Sequence, residues 1–327
     1  MADRFRLTIA QLNPTMGDLA GNAAQAKDAW DKAKAAGADM VALPEMFIAG
    51  YNAQDLPMKA AFTLDCMAAV KALAEDCADG PSLGIGCPWV EGTELYNAYI
   101  ICHGGRIMTQ VFKHHLPNYN VFDELRIFDS GPIGGPYAVG NTRVGSPICE
   151  DAWYEDVAET LAETGAEFLL VPNGSPYFRN KYETRLNKMI ARVVETGLPL
   201  IYLNMVGGQD DQIFDGGSFV LNPHGAVALQ LPVFEEAIAH VDLERTGEGW
   251  RAVEGDFTKH PDAMEQDYHA MVLALRDYCR KTGFGKVLLG MSGGVDSALV
   301  ATIAVDALGA ENVRCVMLPS EYTSEHS

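Results

Sequence analysis

The sequence has no run of apolar residues near the ~18 that a membrane-crossing helix needs. Its opening, MADRFRLTIAQLNPTMG, carries an apolar stretch too short and too interrupted for the core of a secretory leader. The chain is therefore expected to stay in the cytoplasm where it is made. Basic groups are scarce as well, with 24 Lys and Arg against 44 Asp and Glu, a formal charge of −20. Such a surface repels nucleic-acid phosphates and anionic lipid, and no basic run interrupts it, so nucleic-acid and membrane partners are not expected. The seven cysteines are scattered and form no C-x-x-C pair, which argues against a disulfide framework or a cysteine-rich zinc site.

What is there is ordinary globular material. The 327 residues suffice for about two domains of ~150 residues each. Apolar residues make up 48% and charged residues 21%, close to the averages of folded proteins. FRLTIAQL at 5–12 reads as a buried strand. Asn22 is placed to cap a helix over 22–36, with Ala23, Ala26, Trp30 and Ala33 along one face and Gly37 as its stop. DMVALPE at 39–45 follows as a strand ending on a carboxylate, and a second helix is expected over 59–78. Strands over 83–92 and 95–113 come next, the latter folding back through a His103-Gly104-Gly105 turn.

From 137 to 232 strands alternate with helices near 153–164 and 180–196 and finish in a hairpin. That order predicts an α/β fold of stacked sheet and helix layers. Residues 245–263 lack periodicity and gather Gly, Pro and charge, so the first unit is placed at 1–245, a linker at 246–263 and a second unit at 264–327. The second unit reads as a helix over 264–282, a strand over 286–291, a loop over 292–297, a helix over 298–308 and a strand over 313–318. Two strands and two helices are too few to cover both faces of a parallel sheet, so this unit reads as incomplete.

In the first unit three polar residues stand at strand ends, where the carboxyl edge of a sheet gathers active sites. They are Glu45 in LPEMF, Lys113 in KHHLPNY and Cys149 in PICEDAWY. Singly, each has an ordinary reading as a helix cap, a solvated tip or a small buried hydrophobe. Together they form an acyl-transfer set. A thiol becomes nucleophilic when a base takes its proton, and an ammonium favours the thiolate and later the oxyanion of the tetrahedral intermediate. The carboxyl group then protonates the departing amine and activates the water that cleaves the thioester.

The order Glu, Lys, Cys and the words around them resemble the nitrilase superfamily over about residues 4–245. The resemblance implies a four-layer α-β-β-α sandwich that hydrolyses carbon–nitrogen bonds, with Glu45 as general base, Lys113 as oxyanion partner and Cys149 as nucleophile. By the same resemblance Glu124, in NVFDELRIF, is the second glutamate that holds the lysine. Ser175 and Lys181 in NGSPYFRNKYETR, with Tyr119 in LPNYNVFDE, match the glutamine-binding positions of a subfamily of amidotransferases. A free amino acid needs a cation or hydroxyl for its carboxylate and acceptors for its ammonium. The alternative is that Lys181 and Arg179 only decorate the start of a helix.

In the second unit the string Leu289, Gly290, Met291, Ser292, Gly293, Gly294, Val295, Asp296, Ser297 follows a predicted strand and opens a predicted helix. Backbone N–H groups and a helix N-terminus hold phosphate in that arrangement. The string lacks the Gly-Lys-Ser/Thr of a Walker A loop. Its paired glycines let the backbone approach an anion, Ser292 and Ser297 offer hydroxyls, and Asp296 can hold Mg²⁺. SGGVDS resembles the pyrophosphate-binding loop of ATP pyrophosphatases, which adenylylate a substrate and let a nitrogen or sulfur nucleophile displace AMP.

A nitrilase-like glutaminase ahead of SGGVDS is the arrangement of the glutamine-dependent NAD synthetases, whose order residues 4–327 resemble, LPSEYTS at 318–324 included. The resemblance implies a ligase that uses glutamine, ATP with Mg²⁺ and deamido-NAD, carries no prosthetic group and forms a homo-oligomer with the start of a doubly wound nucleotide-binding domain. The rest of that family's synthetase domain is absent from this sequence. Two other readings stay open: a stand-alone nitrilase-type amidase, and a catalytically inert nucleotide-binding or assembly module.

Overall fold

In the computed structural model, which describes residues 4–317, two sheets stack face to face. The first has seven strands in the order Gly249–Ala252, Ala237–Thr246, Arg4–Gln11, Met40–Ala42, Ser82–Glu91, Glu94–His103, Arg106–Phe112. The second has six, in the order Val227–Gln230, Phe219–Leu221, Leu200–Asn204, Phe168–Asn173, Thr142–Gly145, Tyr137–Val139. Phe5, Leu7, Ile9 and Tyr99 on the inner face of the first meet Phe168, Leu170, Ile201 and Val220 of the second. Helices α1 (Leu19–Ala35) and α2 (Ala60–Asp76) cover the outside of the first sheet through Trp30 and Val70. Helices α3 (Glu155–Glu163) and α4 (Lys181–Thr196) cover the second through Val157, Leu161, Met189 and Val193. The layers therefore run α-β-β-α. With both faces of the central strands dry, a strand such as FLLVPN is buried along its whole length instead of alternating.

Helix α1 begins three residues earlier than the sequence pattern suggests. Asp18 is its cap, accepting from the Gly21 N–H at 2.9 Å. Asn22 is buried within the helix and holds the preceding loop instead, its Oδ1 accepting from Thr15 N–H and its Nδ2 donating to the carbonyls of Thr15 and Ile48. A buried amide that can satisfy loop backbone has little reason to serve as a cap. The hairpin of Val206–Gln209 and Gln212–Asp215 has no sequence forecast, because two glycines and three aspartates in VGGQDDQIFD hide its period of two. Gly207 is required there: its φ is +126°, and a Cβ would come within 2.0 Å of Asn13 Oδ1. Within 246–263, Gly249–Ala252 pairs with Ala237–Thr246 as the outermost strand of the first sheet.

The second unit holds α5 (Ala263–Thr282), strand Val287–Met291, α6 (Val295–Leu308) and strand Val313–Met317, the two strands parallel. Helix α6 starts at Val295 with Gly294 as its cap, so Asp296 and Ser297 lie in its first turn and not in the loop before it. The LPSEYTS segment at 318–324 lies outside the described residues. No helix among the described residues is long and apolar enough to cross a membrane.

Helix α5 is the joint between the units. Near its end the buried Asp277 carboxylate accepts from Asn13 Nδ2 at 2.6 Å and Gly208 N–H at 2.8 Å, and Lys281 Nζ donates to the Pro14 carbonyl at 2.9 Å. Near its start Asp267 accepts from the Tyr177 hydroxyl at 2.7 Å and pairs with the Arg179 guanidinium. On its other side the Tyr268 hydroxyl donates to Asp306 of α6 at 2.5 Å. Asp277→Ala strands two buried donors, a loss of about 2–5 kcal/mol. Its expected signature is a lower thermal midpoint and faster proteolysis over 253–262, with the hydrophobic core between the two sheets unaffected.

Candidate active site

Glu45 lies in the turn that follows strand Met40–Ala42, Lys113 directly follows strand Arg106–Phe112, and Glu124 opens a short 3-10 turn. All three side chains are buried, and they meet. Lys113 Nζ is 2.7 Å from Glu45 Oε1 and 2.8 Å from Glu124 Oε2. The carboxylates have further donors. Glu45 Oε1 accepts from Asn97 Nδ2 at 2.8 Å and its Oε2 from Gly174 N–H at 2.7 Å, while Glu124 Oε1 accepts from the Tyr51 hydroxyl at 2.7 Å. Burial alone would lower the pKa of Lys113, but the carboxylates of Glu124 and Glu45 hold it well above the ordinary lysine value. Burial raises that of Glu124, and the Lys113 charge opposes the rise.

Cys149 begins a 3-10 turn, Cys149–Trp153, a few residues beyond strand Thr142–Gly145 of the second sheet. Its φ is +47°, a left-handed backbone that non-glycine residues adopt mainly where function or neighbours impose it. Burial pushes its thiol well above the ordinary range, Glu45 adds to the rise, and Lys113 counters it. Carboxylate, ammonium and sulfur thus act on one another at one place.

The next two residues are also buried carboxylates. Glu150 accepts from the Tyr119 hydroxyl at 2.9 Å through Oε2. Asp151 accepts through Oδ1 from the N–H groups of His114 at 3.0 Å and His115 at 2.7 Å, and through Oδ2 from Ile148 N–H at 2.9 Å. Burial pushes its carboxyl up to about 6.

The expected substrate residues ring this centre. Tyr119 is partly exposed above Glu150. Lys181 opens α4 with its Nζ 4.4 Å from the centre of the Trp153 ring. Burial and the Arg185 charge lower its pKa, while Cys149 and Glu150 act in the opposite sense. Ser175 is buried, its Oγ accepting from Arg185 Nε at 3.0 Å and its N–H donating to Asn204 Oδ1 at 2.9 Å. Arg185 in turn donates to the carbonyls of Ser175 and Pro176 and pairs with the buried Asp215 at 2.8 Å, which fixes the loop.

Sequence reasoning missed Tyr51, Asn97, Glu150, Asp151 and Arg185. Of these, only the two acids beside Cys149 had a visible signal, being charged residues directly after a buried apolar run. Among the described residues His114, His115 and Asp156 also bring one ligand-type atom each within 4.8 Å of the others. Protein groups already engage them: His114 Nδ1 bonds the Gly131 carbonyl, and His115 Nε2 bonds Asp156 at 2.8 Å.

The second-unit loop is a separate, exposed feature. Leu289, Gly290 and Met291 close the strand Val287–Met291. Ser292 Oγ and Ser297 Oγ are 3.1 Å apart, Gly294 N–H donates to Ser292 Oγ at 3.3 Å, and Ser297 Oγ donates to the Gly294 carbonyl at 3.0 Å. Gly293 has φ +79°. Val295 and Asp296 are exposed at the start of α6.

Residues 6–251 match the carbon–nitrogen hydrolase family, and residues 267–327 match NAD synthase. The chain is 62% identical over 327 residues to the glutamine-dependent NAD(+) synthetase of Rhodobacter capsulatus, covering 100% of this chain and 59% of that protein. It is 36% identical over 355 residues to the Aquifex aeolicus protein of the same name, covering 99% and 62%. Among solved structures, the glutamine-dependent NAD+ synthetase of Acinetobacter baumannii in complex with ADP superimposes with a TM-score of 0.93 at 34% identity, covering 99% of this chain and 61% of that one. An amidase from Nesterenkonia sp. superimposes with a TM-score of 0.65 at 25% identity, covering 73% and 90%. The chain thus spans 59% and 62% of the two curated relatives. With the family matched over 6–251, most of its length, the chain belongs to the carbon–nitrogen hydrolase family.

Proposed function

We propose that the complete protein converts deamido-NAD, ATP and glutamine to NAD, AMP, pyrophosphate and glutamate, with the first unit as its glutaminase and the second as the start of its ATP-binding domain. The observation that carries the reading is the Lys113 ammonium between the buried Glu45 and Glu124 carboxylates, beside the Cys149 thiol. Its relatives' names and the order of the two matched families support the same conclusion.

In the proposed reaction the Cys149 sulfur attacks the side-chain amide carbon of glutamine as Glu45 takes the thiol proton. Lys113 Nζ faces the oxygen on which negative charge develops. The proton passes from Glu45 to the departing nitrogen, ammonia leaves, and a thioester remains. Glu45 then takes a proton from water, whose oxygen attacks the thioester; the C–S bond breaks, the proton passes from Glu45 back to the Cys149 sulfur, and glutamate is released. Glu124 positions Lys113, and Asn97 and Gly174 orient Glu45. Lys181 offers a cation to the substrate α-carboxylate, Glu150 an acceptor to its ammonium, and Tyr119 and Ser175 flank them. Ammonia then attacks the adenylylated carboxylate of deamido-NAD.

ATP arrives at SGGVDS with its Mg²⁺. One exposed carboxylate, Asp296, beside two serine hydroxyls and glycine-rich backbone suits a cation that phosphate oxygens and water help to ligate. Cytoplasmic residence and assembly of several copies belong to the same reading.

A second reading, a stand-alone amidase, is favoured by one observation: Glu45, Lys113, Glu124 and Cys149 all come from the first unit. It calls for turnover of other amides and no response to ATP or deamido-NAD.

Glutamate release from glutamine separates the readings. Cys149→Ala should lose activity by about 10³-fold or more, and an equal rate in variant and parent would sink both. Lys181→Met should raise KM for glutamine at least about tenfold with kcat within about threefold, the signature of lost substrate binding. ATP and deamido-NAD should raise glutamate release by the full-length protein; the stand-alone reading has no such response.

A further inference from the structure

The reading above needs a thiol and an ammonium at fixed spacing, yet the two come from different sheets. Lys113 follows the last strand of the first sheet and Cys149 follows strand Thr142–Gly145 of the second. Apolar contact between the sheets is non-directional and does not by itself fix such a spacing. Reaction geometry is less forgiving, since a misplacement of ~1 Å can cost about 10²-fold in rate.

One carboxylate spans the gap. Asp151 Oδ1 accepts from the two N–H groups directly after Lys113, at 3.0 Å from His114 and 2.7 Å from His115. Its Oδ2 accepts from the N–H of Ile148, directly before Cys149, at 2.9 Å. A carboxylate that only capped the 3-10 turn Cys149–Trp153 would need the Ile148 bond alone. The two bonds to the neighbouring sheet do nothing for that turn. They do tie the peptide carrying the ammonium to the peptide carrying the sulfur, and the side chain that does so is almost wholly buried.

We propose that Asp151 is a positioning residue that sets the distance between the Lys113 ammonium and the Cys149 thiol by clamping the backbone on both sides. The inference rests on the reading of Cys149 as nucleophile. It touches neither substrate nor the reacting atoms. Its charge state matters because all three of its partners are donors: a protonated Asp151 would turn one acceptor into an O–H aimed at an N–H. The titratable groups around it are Lys113, His114 and His115 from the first sheet, Cys149 and Glu150 on its own turn, and Asp156 of α3 beyond His115. Burial pushes Asp151 up to about 6, with the His115 and Ile148 N–H groups and the Lys113 charge opposing it.

Asp151→Asn is the test, because it keeps one acceptor oxygen and replaces the other with a donor. Glutamine hydrolysis by this variant should lose about 10²-fold in kcat with KM within about threefold. Asp151→Glu, with its carboxylate displaced by one methylene, should recover part of the loss only if the clamp closes. A variant with the parent's kcat would overturn the proposal, as would a loss that falls on KM alone. Peptide-resolved hydrogen exchange on the parent protein gives an answer that needs no variant. Corrected for intrinsic rates, protection of the His114, His115 and Ile148 amides should fall between pH 7.5 and pH 5 while strand Leu200–Asn204 keeps its protection. Unchanged protection at the three amides would also overturn it. Should Cys149→Ala hydrolyse glutamine as well as the parent, the functional reading fails, whereas the exchange result would still decide whether the clamp exists.

Discussion

A single ammonium with no solvent exposure organises the first unit, because two buried carboxylates stand on either side of it. Removing three charges from water is expensive, and Coulomb attraction at these distances repays it only when the remaining lone pairs are also satisfied. Further donors reach both carboxylates here: Gly174 N–H and Asn97 serve Glu45, and the Tyr51 hydroxyl serves Glu124 Oε1. These groups lie far apart in the chain, and Gly174 follows a strand of the second sheet, so Glu45 gains its Oε2 partner only when both sheets are in place. Burial beside this cluster is the main reason the Cys149 thiol is pushed up, with Glu45 adding to the rise and Lys113 opposing it.

Strain and close approach gather at the same place. A Cβ on Gly86 would lie 2.0 Å from the backbone nitrogen of Met46, so the strand beneath Glu45 has room for glycine alone. Cys149 sits at positive φ, and Asp151 stays ionised at neutral pH although burial moves its carboxyl from 3.8 to about 6. That rise corresponds to about 3 kcal/mol. The sign follows from linkage: the folded chain binds this proton more readily than the unfolded one, so its contribution to stability is largest below pH 3.8 and is lost as pH rises to about 6. The large dry core between the sheets offsets such local costs, as expected where chemistry and stability compete.

The layer order and the three polar strand ends were legible because periodicity and apolar runs are local properties. Glu45, Lys113 and Cys149 each interrupt or end such a run. The partners that make them a site were not legible, for physical reasons. Asn97 lies in LYNAYII, where a polar residue in an alternating strand looks like an outward-facing one until the second sheet closes over it. Tyr51 reaches Glu124 from a loop with no periodicity at all. The start of α1 was misjudged because Asn and Asp are equally good caps on paper, and only burial decides that Asn22 serves Thr15 and Ile48 instead. The hairpin under α5 has a pattern that its glycines erase.

Helix α5 leaves a mechanical consequence. Asp267 grips Tyr177 and Arg179, which lie between Ser175 and Lys181 on one short loop, and the neighbouring Tyr268 grips α6, whose first turn carries Asp296 and Ser297. Adjacent residues of α5 thus hold both the loop beside Cys149 and the last turn of α6, and the glycine-rich turn opens that same helix at its opposite end. A shift of the loop against α6 has to carry the start of α5 with it or break one of these hydrogen bonds.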